Sequence, residues 1–259
     1  MTRVPLRMFL FLLLTISISL NGQENGPASS KISAAEILEK NLIATGGLEA
    51  HKALETLVAS GEFRLNTTHL GDYKFSYKAP HNGMLEVGTS GRGVTWTGHR
   101  GKRGVVATSE RPGAKEPGES CTWCVINGVN TWIVESDWET LLRWDFCCAY
   151  DIELIGIGEV DKRPAYGLRF KSKKGGDPFL CFYDRETFLL VRIDRIAHSR
   201  TDKNRAEAVY KVESIFRDYQ EQGGIKLPSI ITIPRPEGDV IFEVSKIKTG
   251  EPIKDSVFE

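Results

Sequence analysis

The residues best equipped for chemistry are four cysteines in two groups, Cys121-Thr122-Trp123-Cys124 and Cys147-Cys148, with a fifth at Cys181. A C-x-x-C pair performs redox chemistry when it follows a strand and opens a helix within a βαβ unit, because that setting stabilises the thiolate. No such unit surrounds Cys121. Zinc is held by two spaced pairs of ligands, and adjacent cysteines chelate one ion awkwardly. Disulfides joining Cys121 or Cys124 to Cys147 or Cys148 are therefore the favoured expectation, with free thiols, metal binding and redox catalysis as alternatives. Cys181 falls in a strand-like run and is expected to be a small buried side chain.

Other catalytic constellations are missing from the sequence. The chain has no G-x-S-x-G elbow, no H-E-x-x-H and no P-loop, and Gly88 to Gly93 lacks the lysine and the strand-to-helix context of a phosphate cradle. His51, His69, His81, His99 and His198 are scattered without ligand spacing. Asp151 with Glu153, and Glu159 with Asp161, are carboxylates of a kind usually solvated at strand ends. No enzyme activity, catalytic residue, metal or cofactor is expected. Arg100, Lys102, Arg103 and Arg111 make a basic stretch read as a loop, suited to anionic lipid head groups or a partner protein. Asn66-Thr67-Thr68 matches a glycosylation acceptor, relevant only in a host that glycosylates.

Compartment is written at the N-terminus. Arg3 and Arg7 precede an apolar run from Met8 to Leu14, followed by small residues from Ser19 to Gly22. This pattern predicts a cleaved secretory signal over 1–22, since a spanning helix requires roughly 20 apolar residues. A polar tether over 23–31 and one domain over 32–259 would follow, in a periplasm or outside the cell. Removing the two arginines leaves 32 basic residues against 34 acidic ones, so nucleic acid is not an expected partner.

The elements that must position these groups are mostly strands. Ser33 and Glu36 form a capping box with Ile32 and Ile37 placed as a hydrophobic staple, so a helix is predicted from Ala34, bearing Ile37, Leu38, Leu42 and Ile43 and stopping at Gly46-Gly47. A helical turn over Leu48 to Leu54 follows. A further helix is predicted between Ser136 and Tyr150, where Asp137, Trp138, Leu141, Leu142 and Phe146 recur at helical spacing. Elsewhere the period is two. Leu57, Ala59, Gly61, Phe63 and Leu65 share a face, as do Tyr73, Phe75 and Tyr77. His81-Asn82-Gly83, Lys174-Gly175-Gly176-Asp177, Asp184 to Thr187, Gly223-Gly224 and Glu237-Gly238 read as turns. About ten antiparallel strands result. Such a sheet disposes of its edges by curling. The fold class is mainly β (α+β), a curled and incompletely closed antiparallel barrel with an N-terminal helix and a helical insertion covering its mouth.

Several segments also resemble a known family. Glu36-Ile37-Leu38-Glu39-Lys40 leading to Ala44-Thr45-Gly46-Gly47 is similar to the start of bacterial exported proteins of the outer-membrane lipoprotein-sorting type, the LolA-like group. So are Phe182-Tyr183-Asp184-Arg185-Glu186-Thr187, Phe216-Arg217-Asp218-Tyr219 with Gly224-Ile225-Lys226-Leu227-Pro228, and the closing Pro252 to Phe258. The similarity covers Ile32 to Ala59 and Tyr166 to Glu259. It implies an apolar cavity between sheet and helices that takes the acyl chains of a lipid or a lipoprotein, with transient contact to a membrane surface or an envelope protein. The period-two face suggests Phe63, Tyr73, Phe75, Tyr77, Trp96, Leu168, Phe170 and Val191 as its lining, a dry core being the other reading of these residues. An envelope interaction or stress-sensing module on the same fold is the alternative function.

Overall fold

The computed structural model describes residues 32–80, 82–89, 93–100, 103–110, 125–126, 129–199 and 208–258. The chain enters through helix α1, Ala34–Ala44, and its start is capped as the sequence predicts. The Glu36 amide donates to Ser33 Oγ at 3.2 Å and the Ser33 amide donates to Glu36 Oε2 at 2.7 Å. Such a cap is worth about 1 kcal/mol. Gly46 and Gly47 then take φ of 120° and 84° and redirect the chain into α2, Gly47–Ala53. A Cβ at Gly46 would lie 2.2 Å from the Gly224 carbonyl oxygen, so the corner rests directly on the sheet.

That sheet is antiparallel throughout. Its strands are β1 (Thr56–Leu65), β2 (Thr68–Lys78), β3 (Asn82–Thr89), β4 (Gly93–Arg100), β5 (Arg103–Glu110), β8 (Tyr150–Val160), β9 (Arg163–Ser172), β10 (Phe179–Asp184), β11 (Leu190–Ser199), β12 (Ala208–Gln222), β13 (Ile225–Ile233) and β14 (Val240–Thr249). They run in the order β5-β4-β3-β2-β1-β14-β13-β12-β11-β10-β9-β8, so β5 and β8 are its two edges and the barrel is incompletely closed. Among the described residues the sheet numbers twelve strands, close to the ten or so expected. A two-residue ribbon of β6, Val125–Ile126, and β7, Val129–Asn130, precedes α3, Thr131–Leu142, and the one-turn α4, Phe146–Ala149.

Helix α3 fills the concave side. Val134, Trp138 and Leu142 recur every four residues and are all buried, as expected for a helix facing a core. The Trp138 ring stacks on Phe75 of β2 at 5.2 Å, while Phe146 of α4 meets Phe170 of β9 at the same separation. One insertion therefore touches strands from both halves of the sheet, which must curl around it. On the convex side Val160, Ala165 and Phe182 form a small separate cluster with Leu180 and Val191.

Three turns repay attention. Asp184 Oδ1 accepts from the amides of Glu186 and Thr187 and from the Thr187 hydroxyl, at 2.8–3.1 Å. This explains why the Asp184 to Thr187 stretch breaks the strand pattern. The predicted turn at His81-Asn82-Gly83 is displaced: Asn82 and Gly83 belong to β3 and pair with Lys78 and Tyr77, so the connection falls before Asn82, after a cis Ala79–Pro80 bond, with His81 itself outside the described residues. This register takes Phe75 and Leu85 into the core as a pair, and side-chain burial overrides the local preference of Asn-Gly. The basic stretch read as a loop is also corrected, because Arg100 ends β4 and Arg103 starts β5 in a hairpin. Val105, Val106 and Thr108 give that segment β-propensity which its charges obscured. Lys102 and Arg111 lie outside the described residues, as do 1–31.

Candidate functional site

The site is a groove at the mouth of the curled sheet. Its larger chamber, about 590 Å³, lies between one face of α1, the α3–α4 junction and the start of β8, walled by Leu38, Leu42, Leu141, Trp144, Phe146, Tyr150 and Ile152. A smaller chamber of about 210 Å³ lies towards β2, walled by Leu54, Tyr77, Pro80, Glu139, Leu142 and Asp145. The two share His51, Arg143 and Trp144. Pockets of 300–1,000 Å³ with mainly apolar walls and few polar groups are the usual hosts of small apolar ligands. The larger chamber falls in that range.

Position along each element accounts for the walls. On α1, Ile37 turns into the core and is fully buried, Leu38 and Leu42 face the chamber, and Ile43 is 67% exposed. The helix is held at its C-terminal end, where Asn41 Nδ2 donates to the Phe188 carbonyl at 2.8 Å and the Lys226 amide donates to the Thr45 carbonyl at 3.0 Å. The loop between α3 and α4 contributes Arg143 and Trp144. Arg143 Nε donates to Asp145 Oδ1 at 2.9 Å, and its guanidinium also lies 3.6 Å from Glu139 and 5.7 Å from the Tyr150 ring centre. Trp144 is 44% exposed and closes the groove from outside, with Lys52 Nζ over its ring.

His51 of α2 sits at the junction and is only 6% exposed. Its Nε2 lies 3.0 Å from Thr45 Oγ1, whose hydroxyl also bonds the Asn41 carbonyl at 2.9 Å. Burial lowers the imidazole pKa, against the opposing influence of the Leu142 and Thr45 backbones, so the ring is neutral near pH 7. Tyr77 and Tyr150 are pushed up, first by burial. The polar groups at the junction of the two chambers thus include the His51 imidazole, the Tyr77 and Tyr150 phenols and an arginine engaged by two carboxylates, with Lys52, Glu39, Asn41, Cys147 and Asp151 on the surrounding walls.

The residues proposed from the sequence as lining are placed differently from one another. Phe63, Tyr73, Phe75, Leu168 and Phe170 are brought together as part of the buried core between the sheet and α3. Tyr77 lines the smaller chamber. Val191 faces the convex side, in a depression of about 450 Å³ shared with Arg163, Asp184 and Arg217. Trp96 lies on β4 in register with Glu86 of β3. Leu38, Leu42, Trp144, Phe146 and Ile152 were not selected as lining from the sequence. The available signal was the width of the α1 stripe, since Ile37 and Leu38 cannot face the same surface.

Cys147 reaches the wall of the larger chamber, and Cys147 and Cys148 are exposed free thiols with sulfurs 3.9 Å apart. The Cys148 pKa is raised, first by its hydrogen bond with Cys147. Cys121 and Cys124 lie outside the described residues. Cys181 is free and fully buried in β10, and burial pushes its thiol pKa well up. Among the described residues no group of three or more His, Cys, Asp or Glu side chains is placed to hold a metal ion. No described helix is long and apolar enough to cross a membrane.

No family model matches the chain, and no curated protein matches it. Among solved structures it is similar to a DUF1329 family protein from Desulfovibrio piger, with a TM-score of 0.57 and 15% identity over 87% of this chain and 96% of that one. It is also similar to a LolA superfamily protein from Nitrosomonas europaea, with a TM-score of 0.53 and 16% identity over 88% of this chain and 98% of that one. At these identities the likeness concerns architecture, and the fold is LolA-like.

Proposed function

We propose that this protein is a non-enzymatic binder or carrier of a lipid or a lipidated protein, exported by way of a cleaved signal over 1–22. One observation carries the reading: a chamber of about 590 Å³ with predominantly apolar walls remains between the helices and β8 after the core has been filled. It lies where a LolA-like fold implies room for acyl chains. Each methylene taken out of water is worth about 0.8 kcal/mol, so a chain of ~16 carbons is worth roughly 12 kcal/mol, and a bilayer offers about the same. The protein therefore needs only to match the membrane, and small movements of α1 or of the α3–α4 junction suffice to favour loading or release.

A second reading is supported by a specific feature, the filling of the concave face by Trp138, Val134 and the aromatic cluster around Phe170. It is an envelope interaction or sensing module on the same fold, in which side chains fill the interior and the working surface is a loop or a sheet edge. Native mass spectrometry of protein purified from an oxidising compartment, followed by solvent extraction, separates the two. Carriage predicts a stoichiometric adduct containing acyl chains. A clean apo mass that persists when lipids are added back would transfer the assignment to the interaction module.

A further inference from the structure

The volume of the groove limits how much of a ligand it can hold. A methylene takes up about as much space as a molecule of liquid water, roughly 30 Å³. The larger chamber, at about 590 Å³, therefore has room for one chain of up to ~20 carbons. Two chains of 16 carbons need roughly 960 Å³, and three need about 1,400 Å³. Adding the smaller chamber, at about 210 Å³, does not make room for the second.

The walls are built to keep that size. Phe146 and Tyr150, which bound the larger chamber, belong to a cluster with Phe170 and Phe179 in which ring centres lie 5.0–6.1 Å apart. Val134, Trp138 and Leu142 of α3 are already buried against the concave face. Enlarging the chamber inward would part these rings and open a void in a close-packed core. On the other side α1 is tied down at Asn41 and Thr45. Swinging it outward admits water and adds no apolar wall. Ile43, the most exposed apolar side chain of α1, lines neither chamber, so a second chain finds no continuous cover along that helix.

We propose that the groove takes a single-chain lipid, one acyl chain of up to ~20 carbons per protein, and excludes ligands that carry two or three long chains. The inference rests on the carriage reading above and narrows its ligand class. Because a bilayer and the chamber offer one enclosed chain similar free energies, whatever is left in water decides the outcome. Each stranded methylene costs roughly fourfold in transfer from bilayer to protein, and eight of them cost on the order of ten-thousandfold. A fatty acid or a lysolipid stays within the limit. A diacyl lipid or a triacylated lipoprotein exceeds it.

The test is equilibrium transfer to delipidated protein from dioleoylphosphatidylcholine vesicles carrying traces of labelled ligand, with the vesicles then removed by centrifugation. Two comparisons are made: 1-palmitoyl lysophosphatidylcholine against dipalmitoylphosphatidylcholine, which share a head group, and palmitate against a 24-carbon fatty acid. Single-chain ligands are expected on the protein at no more than one per molecule. The diacyl lipid is expected to transfer at least about a thousandfold less well than its lysolipid, and the 24-carbon acid at least about a hundredfold less well than palmitate, for some four methylenes left in water. Leu42→Trp, which narrows the chamber, is expected to weaken retention of a 20-carbon acid about tenfold or more while sparing a 14-carbon one. Equal transfer of the one-chain and two-chain lipids, host lipid carried off by the protein, or no loss at 24 carbons would overturn the single-chain limit and leave carriage standing. If no ligand left the vesicles, carriage itself would be refuted and this inference would fall with it. The wild-type comparisons decide the matter even if the variant does not fold.

Discussion

Asp137 and Arg195 form the most consequential pair of residues outside the groove. Asp137 is completely buried on α3, Arg195 on β11 is 7% exposed, and the guanidinium reaches Asp137 Oδ1 at 3.0 Å as well as the Ser136 carbonyl and the Thr140 hydroxyl. Burial raises the Asp137 pKa, against the opposing effects of Arg195 and Ser214. Removing one member of a buried pair strands the other, so Arg195→Met should destabilise by about 3–5 kcal/mol in urea unfolding, and adding Asp137→Asn should recover much of the loss. A double variant that loses the sum of what Arg195→Met and Asp137→Asn each lose alone would show that the ion pair contributes no coupling. The sequence placed Asp137 on a helix but gave no sign of a partner 58 residues away, because charge pairing across a sheet leaves no local spacing to read. His51 gives a second expectation at this scale. Its folded pKa lies below the ordinary value, so as pH falls below about 6.5 the unfolded chain takes up a proton that the folded one resists. Stability should therefore decline with acidification from that point until the lower folded pKa is reached, and His51→Phe should remove this part of the pH dependence. An unchanged slope in the variant would place the titrating group elsewhere.

At the scale of elements, α1 separates what the groove needs from what the core needs. Ile37→Ala removes a fully buried side chain and should cost about 2–5 kcal/mol, with little effect on ligand capacity. Leu38→Glu instead puts a charge into the larger chamber from a partly exposed position. It should abolish any acyl adduct in native mass spectra at modest cost in stability. The reverse pattern would mean that the chamber is not where the chain lies. The cap, length and stop of α1 were legible because Ser33, Glu36 and Gly46-Gly47 act through neighbours in sequence. Its division into a core side and a groove side was not, because that depends on where α3 and β8 arrive. The same distinction explains the hairpins. Gly223 and Gly224, with φ of 60° and 83°, make the expected two-residue turn between β12 and β13, whereas at Asn82-Gly83 the pairing of β2 with β3 took precedence over turn preference. The thiols of α4 belong to this scale too. The disulfide expectation predicts that non-reducing peptide mapping of exported protein joins Cys121 or Cys124 to Cys147 or Cys148. Recovery of all four as alkylatable thiols would refute it.

For the molecule as a whole, the open sheet is the feature that ties the fold to the proposed carriage. Period-two faces and the need to dispose of edges made a curled sheet legible, but they could not say where space would remain. The edge at β8 is kept from pairing further by a bulge at Gly156, with φ of 126°, and by Asp151, Glu153 and Glu159, although Ile155 and Ile157 remain 39% and 59% exposed. Its N-terminal half instead forms a wall of the larger chamber beneath α1. Since a bilayer and a protein cavity offer an acyl chain similar free energies, the proposed carriage would be governed by how readily α1 yields. Its tether at Asn41 and Phe188 is one hydrogen bond at 2.8 Å, supported by Lys40 over the Phe188 ring at 4.7 Å. Loss of such a bond is worth about 1 kcal/mol, or roughly fivefold in the population of a loosened helix. Asn41→Ala should accordingly speed release of a fluorescent palmitoyl ligand into vesicles several-fold in stopped-flow measurements while changing global stability little. The same change should weaken equilibrium retention by the protein, since the held state is the one that loses a contact. Release at the wild-type rate would mean that the groove opens through the Arg143-Trp144 junction, and α1 would then be a fixed wall.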